Sequence, residues 1–297
     1  MRVLVWLRII RIKFFLASII AITNGILYSY LTYNIFNIID ALLTYVGVIF
    51  LHASVDIFND YWDYKRGIDT TTKRTKFSGG TGVLPEKKLE PNIVYKAGFL
   101  SMVIGIAIGG YFIFQSGLLI AIILAVAILS IYFYSTTIVN IGLAETLVAV
   151  KGTMIVIGTS FVQSGIVDLP IVYLGIIIGL LSSIVLYIAA FPDFAADKEK
   201  GRKTLVILIG KNKSARIFPL LIILIYSLIS IGIIMQYLPI YSILTFSSLI
   251  FAIRSAKKLK NYDNIEDLVK AISYTITFSR IVGICLILSY LIAIINK

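Results

Sequence analysis

Apolar residues fill most of this chain in unbroken stretches of about one membrane width, parted by short polar connectors. A helix needs roughly 20 mostly apolar residues to cross a hydrocarbon layer. By that measure the pattern predicts nine spans, at 14–33, 40–59, 93–113, 117–135, 145–164, 170–191, 215–236, 239–256 and 275–296. The runs are continuous rather than alternating, which predicts helices and not barrel strands. Connections as short as Gln115-Ser116-Gly117 and Gln236-Tyr237-Leu238-Pro239 make successive helices antiparallel neighbours. The expected fold class is an all-α membrane protein, with residues 1–297 forming one domain.

The polar positions are as unevenly placed as the apolar ones. Of the 27 Lys and Arg residues, all but Lys297 fall on one side when the spans are threaded alternately through a bilayer. They gather in the N-terminal segment, in the 60–96, 196–216 and 254–270 loops, and at Lys151 and Arg280. Cytoplasmic loops carry the excess of basic residues, so the N-terminus and the long loops are expected on the cytoplasmic side of a cell membrane. The basic start leads into a full-length apolar run without an A-x-A pattern, and it reads as a retained first span rather than a cleaved signal.

Composition sharpens this picture in three respects. The chain is 59% hydrophobic and only 14% charged, far from the balance of a soluble domain. Its net charge of +12 is confined to the ends of apolar runs, so membrane topology explains it without a nucleic-acid partner, and nothing calls for a protein partner. A single Cys (Cys285, read as packing) excludes a disulfide framework, and a single His (His52) excludes a histidine metal cluster. Any metal must be held by carboxylates, which suit hard ions such as Mg²⁺.

Two charged segments, after spans two and six, carry the candidate chemistry. The first runs Asp56, Asn59, Asp60, Asp63, Lys65, Arg66, Asp69; the second runs Asp193, Asp197, Lys198, Glu199, Lys200, Arg202, Lys203. Asp60 and Asp63 are i,i+3 on a helix, and Asp193 and Asp197 are i,i+4, so each pair projects from one helical face. Four spans separate the segments, which puts both at the same membrane face. Paired carboxylates repel unless a cation compensates them, and two facing pairs suit two divalent ions. Mg²⁺ takes one or two protein carboxylates and completes its shell with water and phosphate oxygens. Interleaved bases (Lys65, Arg66, Lys73, Arg74, Lys198, Lys200, Arg202, Lys203) suit the rest of a diphosphate. The combination points to a diphosphate leaving group.

Other positions leave more than one reading open. His52, Asp56 and Asp60 share a helical face, and Asp56 lies about one turn inside the membrane, where a carboxylate is tolerated if it faces a polar cavity. His52 reads as a satisfied bundle residue ahead of a catalyst. Phe77-Ser78-Gly79-Gly80-Thr81-Gly82 is flexible enough to wrap an anion, but its spacing equally allows a plain turn. Tyr132 and Tyr134 suit an interfacial belt or a cavity wall whose ring faces stabilise a cation. Ser135, Glu145 and Lys151 stand nearby.

At these residues the chain resembles the UbiA family of intramembrane prenyltransferases. The resemblance is carried by NDYWDYKRGID at 59–69 and DFAADKEKGRKTL at 193–205, and is extended by FSGGTGVLPEKKL at 77–89 and YSTTIVNIGLAE at 134–145. The gap from Asp63 to Asp69 and the double-glycine loop look most like the MenA-type members, which prenylate dihydroxynaphthoate in menaquinone biosynthesis. The resemblance implies nine helices bundled around a central cavity that opens sideways to lipid. It also implies Mg²⁺-dependent transfer of a polyprenyl chain from its diphosphate to an acceptor. By motif position, Asn59, Asp60 and Asp63 would serve one Mg²⁺ and Asp193 and Asp197 the other, with Asp60, Asp63, Asp193 and Asp197 catalytic. The expected substrate contacts are Asp56, Lys65, Arg66, Asp69, Arg74, Tyr134, Lys151, Lys198, Arg202 and Lys203. Two departures bear on the acceptor rather than the reaction: Asp56 stands where MenA-type sequences suggest Asn, and Pro192 where an Arg often precedes the second motif.

Alternatives remain at this stage. The acceptor could be a glycerol-phosphate lipid precursor of archaeal membranes instead of an aromatic ring. An ion-coupled transporter would favour acids near the bilayer midplane, whereas these lie at one interface. A CDP-alcohol phosphotransferase needs a DGxxAR segment, which is missing.

Overall fold

A computed structural model describes residues 2–71, 74, 77 and 79–297, and these form helices joined by turns, with no strand among them. Lys73 and Ser78 lie outside the described residues. The helices are α1 (Arg2–Ile9), α2 (Phe15–Tyr33), α3 (Ile38–Lys65), α4 (Ile68–Thr71), α5 (Pro91–Ser116) and α6 (Leu118–Phe133). They continue with α7 (Ala144–Ser164), α8 (Leu169–Glu199), α9 (Leu205–Ile209), α10 (Lys211–Ile234), α11 (Leu249–Leu259) and α12 (Ile265–Ile295). Seven of the described helices are long and apolar enough to cross a membrane: α2 with its preceding turn, α3, α5, α7, α8, α10 and α12. The chain is a multi-pass membrane protein.

The remaining two expected spans are shorter or composite. α6 has 16 residues, about 24 Å at 1.5 Å per residue. The expected span at 239–256 is a nine-residue 3₁₀ helix, Ile240–Ser248, followed by α11. At about 2.0 Å per residue the 3₁₀ part reaches roughly 18 Å, so the 20-residue composite still approaches 34 Å. The 3₁₀ form suits this sequence because Ser242, Thr245 and Ser248 recur every third residue and eclipse on one buried face. Ser242 there meets Ser289 of α12 at 2.8 Å, and Ser248 meets Tyr226 of α10 at 2.6 Å.

The core gathers around α8. Ile171, Leu174, Ile177, Leu181, Ile188 and Phe191 on α8 pack with Phe218 and Ile225 of α10 and with Ile272, Phe278 and Leu286 of α12. α7 and α8 meet through small residues. A Cβ on Gly152 would stand 2.8 Å from the Cα of Gly179, and Thr153 Oγ1 donates to the Gly175 carbonyl at 3.1 Å. Such close crossings replace the hydrophobic drive that lipid does not supply.

Length places the site. α3 has 28 residues and α8 has 31, about 42 and 46 Å, against roughly 30 Å of hydrocarbon. Each is fixed at its start by a capping side chain, Asn37 for α3 and Asp168 for α8. Counted from those caps, both helices overrun the hydrocarbon at the same end, and the overruns carry Asp60 and Asp63 on one helix and Asp193 and Asp197 on the other. Pro192 removes one helical hydrogen bond immediately before Asp193.

Candidate active site

The two acidic segments meet. Arg202, in the turn after α8, donates through Nη2 to Asp63 Oδ1 of α3 and through Nη1 to Asp197 Oδ1 of α8, the latter at 3.2 Å. One half-buried guanidinium therefore bridges the two carboxylate motifs. Burial disfavours its charge, but Asp63 and then Asp197 outweigh that and hold it protonated above the usual arginine range. Among the described bases expected to clamp a diphosphate, Arg202 is the one ion-paired to both motifs.

Asp60 is held by two elements at once. Arg11 donates to Asp60 Oδ1 at 2.8 Å and to Asn59 Oδ1 at 3.2 Å. It reaches them because its backbone is left-handed, with φ of 47°, a conformation that costs an ordinary residue about 1–2 kcal/mol and turns α1 away from α2. In the sequence Arg11 stands out only as one of the basic residues of the N-terminus, because the Asn59 it meets lies 48 residues downstream. On the other side, Thr81 donates to Asp60 through its hydroxyl and through its backbone N–H at 3.3 Å.

That second contact gives the glycine loop its role. Gly79, Gly80 and Gly82 all have φ between 64° and 79°, which only glycine adopts freely. A Cβ on Gly80 would run into the Asp69 carboxylate, and one on Gly82 into the Arg74 guanidinium. The loop is clamped outside by Glu86, which accepts from Arg8 at 2.7 Å, Arg74 at 2.5 Å and Lys88 at 2.6 Å. These bonds, Arg8 foremost, hold the Glu86 carboxyl well below the usual range.

Several side chains expected to touch substrate have protein partners in the structure. Arg74 is engaged with Glu86 and the Gly79 carbonyl. Arg66 ties α3 to the segment after α6, donating to the Ser135 carbonyl at 2.6 Å and to Asn140 Oδ1 at 3.0 Å. Asn59 Nδ2 reaches Ser135 Oγ at 3.1 Å. Lys65 lies over the Tyr61 ring and Lys198 over the Phe194 ring. Lys203 contributes a backbone bond, its N–H to the Val139 carbonyl. Glu145 accepts from the Leu205 N–H at 3.0 Å, joining α7 to the start of α9.

Beside the acids opens a cavity of about 440 Å³. Arg11, His52, Asp56, Asn59, Tyr134 and Lys151 form a polar end, and the remainder is mostly apolar, with Leu43, Phe112, Ile120 and Val162 among its walls. Asp56 thus faces a cavity, as its depth required. The two tyrosines divide: Tyr134 lines the cavity with Lys151 5.3 Å above its ring, while Tyr132 is exposed.

The donors present suit Mg²⁺. Asp56, Asp60, Asp63, Asp69, Asp193 and Asp197 outnumber the two arginines paired with them, and Asp69 Oδ2 and Asp193 Oδ1 are buried without partners. An unpartnered buried oxygen costs about 1–3 kcal/mol, which a hard cation relieves. Among the described residues no three acidic, histidine or cysteine side chains form a ready-made metal cage. Mg²⁺ takes one or two protein carboxylates and keeps water and phosphate ligands.

Residues 11–278 match the profile of the UbiA prenyltransferase family. The 1,4-dihydroxy-2-naphthoate octaprenyltransferase of Bacillus subtilis is 26% identical over 177 residues, which span 57% of this chain and about half, 56%, of that enzyme. The fold is shared with a digeranylgeranylglyceryl phosphate synthase (TM-score 0.66, 20% identity, 97% of this chain and 98% of that one). It is also shared with a UbiA homologue from Aeropyrum pernix K1 (0.66, 16%, 93% and 98%). A UbiA homologue from Archaeoglobus fulgidus, solved with DMAPP and Mg²⁺, has the same fold (0.56, 13%, 95% and 98%). With two carboxylate motifs joined across α3 and α8 beside an apolar cavity, and with the profile matching nearly its whole length, the chain belongs to the UbiA prenyltransferase family.

Proposed function

We propose that this protein transfers a polyprenyl chain from its diphosphate to a small aromatic acceptor of the dihydroxynaphthoate kind, in quinone biosynthesis. The observation that carries the reading is the convergence of Asp63 and Asp197 on Arg202 one helical turn beyond Asn59, which lines the polar end of an apolar cavity. The Bacillus subtilis relative supports the choice of acceptor, and the Archaeoglobus fulgidus structure supports the use of Mg²⁺.

In this reading Asn59, Asp60 and Asp63 hold one Mg²⁺ and Asp193 and Asp197 a second. Bound there, Mg²⁺ supplies Lewis-acid neutralisation of the departing diphosphate. The chain's own residues do the rest. Arg11 and Arg202, now spread over the carboxylates, offer guanidinium donors to diphosphate oxygens. The isoprenoid tail lies along the apolar wall, where water is excluded from the allylic cation, and the Tyr134 ring faces that charge. The whole chain acts as one domain, with α6 and the Ile240–Leu259 composite completing nine crossings. The acidic mouth opens to the cytoplasm in this reading, which the one-sided basic loops support.

The test is transfer by purified protein, read by mass spectrometry with a prenyl diphosphate and either dihydroxynaphthoate or a glycerol-phosphate acceptor. Asp60→Ala and Asp193→Ala are expected to abolish product while leaving expression intact. Full activity in either variant overturns the reading, and prenylation of the glycerol phosphate alone overturns the aromatic acceptor.

A further inference from the structure

One acidic group in the cavity is not used by the diphosphate machinery. Asp56 lies about one helical turn below Asn59 and Asp60 on α3, lines the cavity, and keeps Oδ2 buried with no hydrogen-bond partner. One turn deeper, His52 Nε2 stands 3.7 Å from that oxygen, too far for a hydrogen bond. The imidazole is fixed from behind. Its Nδ1 is 2.7 Å from Ser18 Oγ of α2, and its ring packs on Phe15 at 5.2 Å between centroids. Ser18 and His52 also line the cavity, and the cationic side chains that line it are Arg11, Lys151 and Arg280.

The geometry points to Asp56 and His52 as the site that reads a hydroxyl of the acceptor, an assignment that rests on the prenyl-transfer reading above. The hydroxyl donates to Asp56 Oδ2. In this assignment Ser18 donates to Nδ1, so that His52 carries its hydrogen on Nε2 and donates to the hydroxyl oxygen. Both groups then gain the partner they lack, and the acceptor is held one turn below the motif that grips the diphosphate. A site built to hydrogen-bond a hydroxyl rejects an analogue without one far more sharply than an apolar pocket rejects an extra methyl group. The chemical class is therefore a small acceptor with a free hydroxyl; an aromatic diol and a glycerol phosphate share that group, and a methyl ether lacks it.

The experiment uses the full chain in detergent with Mg²⁺ and geranylgeranyl diphosphate. It compares 1,4-dihydroxy-2-naphthoate, its 1,4-di-O-methyl ether and a glycerol phosphate in wild type, Asp56→Ala, Asp56→Asn and Ser18→Ala. Asp56→Ala is expected to raise the acceptor KM about 10- to 100-fold, to leave the prenyl diphosphate KM within about twofold, and to collapse the preference for hydroxyl over ether. Asp56→Asn is expected to fall between, because an amide oxygen still accepts. Ser18→Ala is expected to raise the acceptor KM a few-fold by freeing the ring. Unchanged acceptor KM and unchanged hydroxyl preference in Asp56→Ala overturn the assignment, as does an equal rise in both KM values. If Asp56→Ala does not fold, Asp56→Asn and Ser18→Ala decide by the same ratio. A wild-type protein that forms no product with either hydroxylated acceptor sinks the prenyl-transfer reading, and this assignment with it. Wild-type product with unaltered selectivity in the variants sinks the assignment alone. Which of the diol and the glycerol phosphate is prenylated tells the source of the hydroxyl.

Discussion

Arg202 sets the spacing between the two acid motifs, and its removal separates structural from catalytic effects. Without it, Asp63 and Asp197 face each other buried and unpaired, a situation that destabilises by about 3–5 kcal/mol. Arg202→Ala is therefore expected to lower the thermal midpoint in EDTA, and Mg²⁺ is expected to recover more of the loss than it adds to wild type. Equal Mg²⁺ stabilisation of both proteins would count against shared carboxylates. Gly80 offers a second residue-level test. A Cβ there meets Asp69 and is strained at φ of 64°, so Gly80→Ala is expected to cost about 1–2 kcal/mol and to raise the prenyl diphosphate KM. Kinetics beside thermal unfolding check both effects.

At the scale of elements, the clasp between α1 and the glycine loop depends on Glu86. Its folded-state pKa is depressed, chiefly by Arg8, so its contribution is complete above the usual glutamate range and is lost as pH falls. Glu86→Gln is expected to make the 79–90 loop more open to protease at neutral pH, with the difference from wild type narrowing below about pH 4. A difference that persists at low pH would contradict the clasp. The elements themselves were largely legible in the sequence, because lipid demands long continuous apolar runs and the helices begin and end near them. What escaped was set by local chemistry that hydropathy does not register. α12 begins at Ile265, ten residues ahead of its expected start, because the side chain of Asn264 caps the N–H groups of Glu266 and Asp267. The 3₁₀ helix follows a three-residue Ser/Thr rhythm hidden inside an apolar run. Arg11 reaches the acids only through a left-handed turn, and Lys65 and Lys198 lie over aromatic rings on their own helices. The acidic motifs were legible because so few residues here are charged that their spacing stands out.

For the molecule as a whole, the acidic mouth and the basic loops must share one side of the membrane. With Cys285 replaced by Ser, single cysteines at Lys88 and at Val167 are expected to label from opposite faces of sealed vesicles, Lys88 from the cytoplasmic one. Labelling of both from one face would undo the threading. The central claim is narrower: α3 and α8 lend carboxylates to shared divalent ions over one diphosphate. It is tested most directly by titrating Mn²⁺ into the purified protein, followed by electron paramagnetic resonance, with and without a non-hydrolysable prenyl thiodiphosphate. The expected result is tight binding that depends on the diphosphate and is lost in both Asp60→Ala and Asp193→Ala. Wild-type Mn²⁺ binding in either variant, or binding indifferent to the diphosphate, would contradict it.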